Sequence, residues 1–288
     1  MNVRMQSRRW LVGLGLVTGL VALALPAKAQ DGGAYRFSPV NQYGIELTAS
    51  YWNPIIDYVS SKSGVKLQLK IGRTSADTTA YVLANEVEFV FSNHLFSPDR
   101  DHLGWKVFGR RATPPIRSQI VVMADSPVVR LDQLANENVG FPGPEATVAY
   151  KFPYAHLLNQ KIPVQVVFGG NMDGAFGQLI NGRVKAVGTQ SQLSSGWIKR
   201  EGKNLRVLWE SEPLNDLALM ASKNVPAKDL AAVTRVFLEM GRDPAGQKVL
   251  TAVSELVKLP AATGFIAATG ADYSAYRNFY QTAPANLK

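Results

Sequence analysis

Few residue types in this chain could carry chemistry. The three histidines, His94, His102 and His156, stand far apart, with neither His-x-x-x-His nor carboxylate spacing, so no metal site is expected. There is no cysteine, which excludes a thiol nucleophile, a disulfide framework and a Cys-ligated metal. No Gly-x-Ser-x-Gly elbow and no acid–base pair stand out, so a binding role fits better than an enzyme, and no cofactor is expected. What remains are polar residues at the ends of short apolar runs. Asn93 and His94 follow the run 87–91, and Thr189-Gln190-Ser191-Gln192 follows the run 184–188. In a parallel α/β sheet, ligands lie outside the carboxyl ends of the strands, so Asn93, His94 and Gln190 are candidate ligand contacts. Tyr51 precedes an apolar helix face and is a further candidate, whereas Trp52 reads as core. Gly169-Gly170-Asn171-Met172-Asp173 lacks phosphate-loop spacing and reads as a turn into a helix.

The elements that would position these residues come in two series. In the first, a strand at 35–40 precedes a helix over 47–61, with Trp52, Ile55, Ile56 and Val59 at helical spacing. An alternating strand at 65–71, a helix at 75–85 and a short strand at 87–91 follow. A strand at 118–124 ends at Asp125-Ser126-Pro127. The second series has strands at 139–141, 164–168, 184–188 and 205–209. Helices are expected at 146–159, broken at Pro153, and at 173–181. A strand at 217–221 and helices at 227–240 and 245–257 end the pattern. Strands alternating with helices predict two α/β lobes, each a mainly parallel sheet flanked by helices, with a cleft between them. The expected division is residues 30–123 plus 215–288 for lobe 1 and 124–214 for lobe 2.

The chain has 288 residues and a formal net charge of +9. Arg4, Arg8 and Arg9 precede an apolar run that closes with Ala27-Lys28-Ala29. That is the layout of a signal peptide cut after Ala29, and it predicts export to the periplasm, by the general route rather than the twin-arginine one. Cleavage would remove four of the 31 basic residues and no acid, leaving 27 against 22. The basic stretch 106–117 then reads as a solvated face, and nucleic acid is not an expected partner.

Several phrases in this order resemble the PhnD-like periplasmic binding proteins of phosphate, phosphite and phosphonate ABC transporters. They include Trp52-Asn53-Pro54-Ile55-Ile56-Asp57-Tyr58-Val59, Asn85-Glu86-Val87-Glu88-Phe89-Val90, the 118–127 strand with its Asp-Ser-Pro stop, and Asp243-Pro244-Ala245-Gly246. The resemblance spans residues 35–280 and implies a hinged two-lobed clamp. The family's Ser-Thr-Ser-Gly oxyanion motif opens a second-lobe helix, and the register set by Pro153 places it on Ala146-Thr147-Val148-Ala149. Only Thr147 keeps a hydroxyl. The family's loop histidine falls on Met172, a cleft tyrosine falls on Ile116, and Asp216 matches an acid that can meet a ligand amine. The resemblance therefore implies Ala146, Thr147, Val148, Met172 and Asp216 as site positions without carrying over the phosphonate ligand. The expected protein is a monomer that takes a small polar or anionic ligand to an inner-membrane ABC permease. A sensor docking on a membrane histidine kinase and an exported enzyme on the same fold are the alternatives.

Overall fold

A computed structural model describes residues 33–288. The signal peptide expected to end at Ala29 lies outside the described residues. No helix among the described residues is long and apolar enough to cross a membrane.

The first lobe is built on a six-stranded sheet. β1 (Tyr35–Pro39) lies between β2 (Leu67–Leu69) and β3 (Phe89–Ser92), both parallel to it. β4 (Lys106–Arg111) belongs to the same sheet, on the far side of β3. The second lobe opens with β5 (Ser118–Met123) and continues with β6 (Asn138–Phe141), β7 (Gln165–Phe168), β8 (Ala186–Gln190) and β9 (Leu205–Glu210). The chain then returns to the first sheet with β10 (Ala218–Ala221), antiparallel between β3 and β4, and a short β11 (Phe265–Ile266) beside β4. In the second sheet the order is β7-β6-β8-β5-β9, with β5 antiparallel to both neighbours.

Two expectations need correction. The sheets are mixed rather than mainly parallel, because the strands that carry the chain between lobes run against the others. The strand 118–123 belongs to the second sheet, so the first crossing falls before Ser118 rather than at residue 124. The two crossing segments hold each other through reciprocal Ile116 and Leu214 backbone hydrogen bonds of 2.8 and 2.7 Å. A hinge of two short extended segments follows from that pairing.

Helices cover the sheets where their apolar faces dictate. α1 (Ile45–Ser63) buries Tyr51, Trp52, Ile55, Ile56 and Val59, as the 3.6-residue spacing predicts, and ends at Gly64 with φ +72°. It packs against α6 (Ala227–Glu239) and α7 (Pro244–Leu256) on the first lobe, where α2 (Asp77–Leu83) also lies. The second lobe carries α3 (Phe152–Asn159), α4 (Met172–Ile180) and α5 (Ser191–Glu201). The polar stretch 189–192 is therefore a strand end and a helix start, with Gln190 as the N-cap. α8 (Ser274–Thr282) spans both lobes: Tyr276 packs on Phe96, and Phe279 stacks on Phe152 at 4.4 Å.

Candidate functional site

The local structure around Pro153 sets the geometry of the cleft. Proline has no N–H and its ring clashes with the carbonyl four residues back, here that of Ala149. The turn before it widens accordingly. Residues Thr147–Lys151 form a π-helical turn, with Lys151 N–H donating to Ala146 O at 3.0 Å, and α3 continues from Phe152. The freed Ala149 carbonyl sits against Gly188 of β8. A Cβ on that glycine would lie 2.5 Å from the carbonyl oxygen, so only glycine permits the approach. The helix entry is thereby pinned over the carboxyl end of the second sheet.

At that entry the N–H groups of Thr147, Val148 and Ala149 have no protein acceptor, and no side chain caps the turn. Unpaired amides and the positive end of the helix dipole make a site for an anion. Ala146, Thr147, Val148 and Ala149 form one wall of a chamber of about 40 Å³ between the lobes. Pro142, Met172, Gln190 and Leu193 complete the second-lobe side. Val40, Asn41, Gln42, Ser75, Asn93, His94 and Leu217 close it from the first lobe. No charged side chain lines it, and among the described residues no group of three His, Asp or Glu is placed to hold a metal ion.

Seven of the nine positions singled out from the sequence meet in this wall: Asn93, His94, Ala146, Thr147, Val148, Met172 and Gln190. Thr147 is wholly buried and its hydroxyl donates across the cleft to Asn93 O at 3.3 Å, so the hydroxyl proton is already committed. His94 is held by its Nδ1 against the Thr79 hydroxyl at 3.1 Å. Burial pushes its pKa down to about 4, with nearby Arg100 and Lys151 adding to the effect and Glu145 opposing it. His94 is therefore neutral in the physiological range.

Asp216 and Tyr51 stand elsewhere. The expectation that Asp216 meets a ligand amine does not hold, because its carboxylate is already saturated. Oδ2 accepts from Arg111 Nε at 2.8 Å and the Thr113 hydroxyl at 3.3 Å, while Oδ1 accepts from Arg111 Nη2 at 3.3 Å and Leu217 N–H at 2.8 Å. Both members of this ion pair are essentially without exposure. Tyr51 lies in the layer behind the chamber, its ring edge-on to Trp52, and its buried hydroxyl has no partner. Burial pushes that hydroxyl's pKa up, against the pull of Arg111.

Arg111 and Gln42 are the residues that the sequence reading missed. The basic stretch taken for a solvated face is strand β4, and its last residue turns wholly inward. Arg111 Nη2 also donates to Gln42 Oε1 at 3.2 Å, which links the buried pair to the chamber wall. The guanidinium lies 4.8 Å from the centre of the Phe91 ring. Burial disfavours its charge, but the Asp216 carboxylate together with Tyr51 and Tyr43 outweighs that and holds the guanidinium more firmly protonated than in water.

The lobes touch at several points around the chamber. Ser75 N–H donates to Gly170 O at 2.7 Å, Met172 N–H to Gln42 O at 3.3 Å, and Gly44 N–H to Asp173 Oδ2 at 3.0 Å. Arg100 joins Glu145 at 2.6 Å. Burial of Glu145 opposes ionisation, yet the Arg100 hydrogen bond together with the His94, Arg100 and Lys151 side chains around it outweighs that and holds the carboxyl below the usual range.

Two α/β lobes joined by two crossing strands, closed over a chamber at a helix N-terminus, define a hinged solute-binding protein. Residues 37–273 match the family model described as the phosphonate ABC transporter periplasmic substrate-binding protein, and the chain belongs to that family. Membership implies a periplasmic location and a small ligand passed to a membrane permease. No curated protein matches the chain by sequence. Among solved structures, it is similar to a binding-protein component of a phosphonate ABC transporter from Pseudomonas aeruginosa, with a TM-score of 0.72 and 14% identity over 86% of each chain. It is also similar to PhnD1 of Prochlorococcus marinus in complex with methylphosphonate, with a TM-score of 0.71 and 14% identity over 86% of this chain and 96% of that one. A Xanthomonas citri protein bound to chloride gives 0.66 and 13% over 88% and 97%. These likenesses show the fold. The family and the first two of these structures are of substrate-binding proteins rather than enzymes.

Proposed function

We propose that the chain is exported, cut after Ala29, and captures a small anion in the interlobe chamber for an inner-membrane ABC permease. The observation that carries this reading is the trio of unpaired amides at Thr147, Val148 and Ala149, facing a chamber without a charged side chain. The solved relative in complex with methylphosphonate, a small anion, supports it.

The donor set differs from a hydroxyl-rich cradle. Ala146, Val148 and Ala149 have no hydroxyl and that of Thr147 is committed to Asn93, so backbone amides carry the anion. Each such hydrogen bond to a charged ligand contributes about 1.5–3 kcal/mol. The apolar side chains of Val40, Pro142, Val148, Met172, Leu193 and Leu217 exclude water from it. A chamber of about 40 Å³ favours a ligand of few heavy atoms, and closure of the lobes completes its shell.

A thermal-shift series with phosphate, phosphite, methylphosphonate and acetate tests the reading. A ligand at 100 times its Kd stabilises the native state by about 2.7 kcal/mol, or roughly 5–10 °C at this chain length. No stabilisation by any of these anions at millimolar concentration would refute it.

A further inference from the structure

The two glutamines of the chamber wall are fixed so that they present donors to it. Gln42 Oε1 is taken by Arg111 Nη2, and Gln190 Oε1 by the Gln192 N–H at 2.8 Å. In a planar amide the oxygen and nitrogen point apart, so both glutamines turn their NH2 groups away from those contacts. One stands on each lobe and both line the chamber. Gln190 Nε2 is buried without a partner, and so is the hydroxyl of Ser75 in the same wall. In the layer behind Gln42, Arg111 Nη1 is a further buried donor without an acceptor. Three acids flank wall residues in the chain, Glu145 before Ala146, Asp173 after Met172 and Asp216 before Leu217. Each is already engaged: Glu145 by Arg100, Asp173 by Arg200 and Gly44 N–H, and Asp216 by its four contacts.

We propose that the site selects anions that only accept hydrogen bonds and rejects those carrying an ammonium group, with Arg111 as the positioning residue that sets this selectivity. The inference rests on the anion reading above. Arg111 acts twice: it neutralises Asp216, and it fixes the Gln42 amide with its nitrogen free. A ligand ammonium would face the glutamine donors from both lobes and the positive end of α3 and its π turn, and would lose its water without gaining a charged acceptor. An oxyanion finds donors on both sides, so closing the lobes tightens its shell.

The test uses two ligands of equal size, ethylphosphonate and aminomethylphosphonate, which differ by a methyl against an ammonium group. Inorganic phosphate serves as a third probe. Calorimetric titration of the wild-type chain is expected to show ethylphosphonate binding at least tenfold more tightly than aminomethylphosphonate. Gln190→Glu keeps the cap to Gln192 N–H but replaces the free donor with a negative charge. It is expected to weaken whichever probe the wild type binds most tightly by at least 100-fold. Arg111→Met is expected to narrow the methyl-to-ammonium ratio by at least tenfold, whereas a purely structural role would lower both affinities alike. Arg111→Lys is expected to keep most of the discrimination. Should Arg111→Met fail to fold, the wild-type ratio and Gln190→Glu still decide the matter. Equal or tighter binding of aminomethylphosphonate by the wild type, or retained affinity in Gln190→Glu, would overturn the proposal. Binding of none of the three probes would instead overturn the anion reading on which it stands.

Discussion

Replacing Arg111 by Met strands the Asp216 carboxylate in the first lobe. Both side chains are within 1% of complete burial, so water cannot take over the role of the lost guanidinium. Removing one member of such a pair costs about 3–5 kcal/mol, since an uncompensated charge stays in a low-dielectric interior. The Thr113 hydroxyl and Leu217 N–H still reach Asp216 and temper the loss, while Gln42 Oε1 loses its donor and adds to it. Asp216→Leu strands the guanidinium in turn, with a cost of the same order. The double variant removes both charges and leaves only Gln42, Thr113 and Leu217 with broken hydrogen bonds, for a cost of about 1–3 kcal/mol. The coupling between the two positions is therefore at least about 3 kcal/mol, so the double variant is more stable than the sum of its parts. Calorimetric unfolding measures it: each single variant melts roughly 6–20 °C below wild type, and the double variant recovers most of the difference. Single variants within about 1 kcal/mol of wild type, or costs that simply add, would refute the buried pair.

Three further outcomes follow from the site. His94 has a folded-state pKa of about 4 against 6.5 for the free side chain, so the unfolded chain takes up this proton first as pH falls. Stability equal to roughly 3 kcal/mol is lost between pH 6.5 and 4, and urea unfolding across that window is flatter for His94→Gln than for wild type. Gly196 of α5 meets the other lobe at Val257 O, which would lie 2.9 Å from an added Cβ. Gly196→Ala wedges the closed form by about 1–3 kcal/mol, so phosphate or phosphonate affinity falls several-fold to about 100-fold while α-helix content by circular dichroism is unchanged. Thr147→Val keeps the amide and loses the hydroxyl bond to Asn93 O, costing about 1 kcal/mol of binding. Thr147→Pro sits at the first helical position, where proline is tolerated after an extended Ala146, and deletes one anion-facing amide. Titration therefore shows the proline variant about 10–100-fold weaker than the valine variant.

How far the sequence revealed this molecule depends on how local each signal was. The apolar stripe of α1 and the alternation before Ile71 are local; α1 stands where the spacing put it, and the strand expected over 65–71 is present but shortened to Leu67–Leu69. Pro153 announced a break, and the structure answers with a π turn. Asn93, His94 and Gln190 were legible because polar residues at strand ends have a place in the fold. Arg111 was not, because its partner Asp216 lies 105 positions away and nothing within the run 106–117 marks one of its four cations as buried. Gln42 carried no signal for the same reason. Its role exists only once β4 stands beside β10, across the sheet from β1. The membership of β5 was likewise a matter of pairing, since an isolated apolar strand does not say which sheet will receive it.

The central claim is that an anion sits on the amides of Thr147, Val148 and Ala149. Titrating inorganic phosphate and methylphosphonate into the 15N-labelled protein, followed by amide resonances, tests it most directly. The account predicts large, saturable downfield shifts of these three N–H signals, with smaller changes in the Gln42 and Gln190 side-chain amides. Saturable binding that leaves the three amides unmoved while shifting signals elsewhere would contradict it.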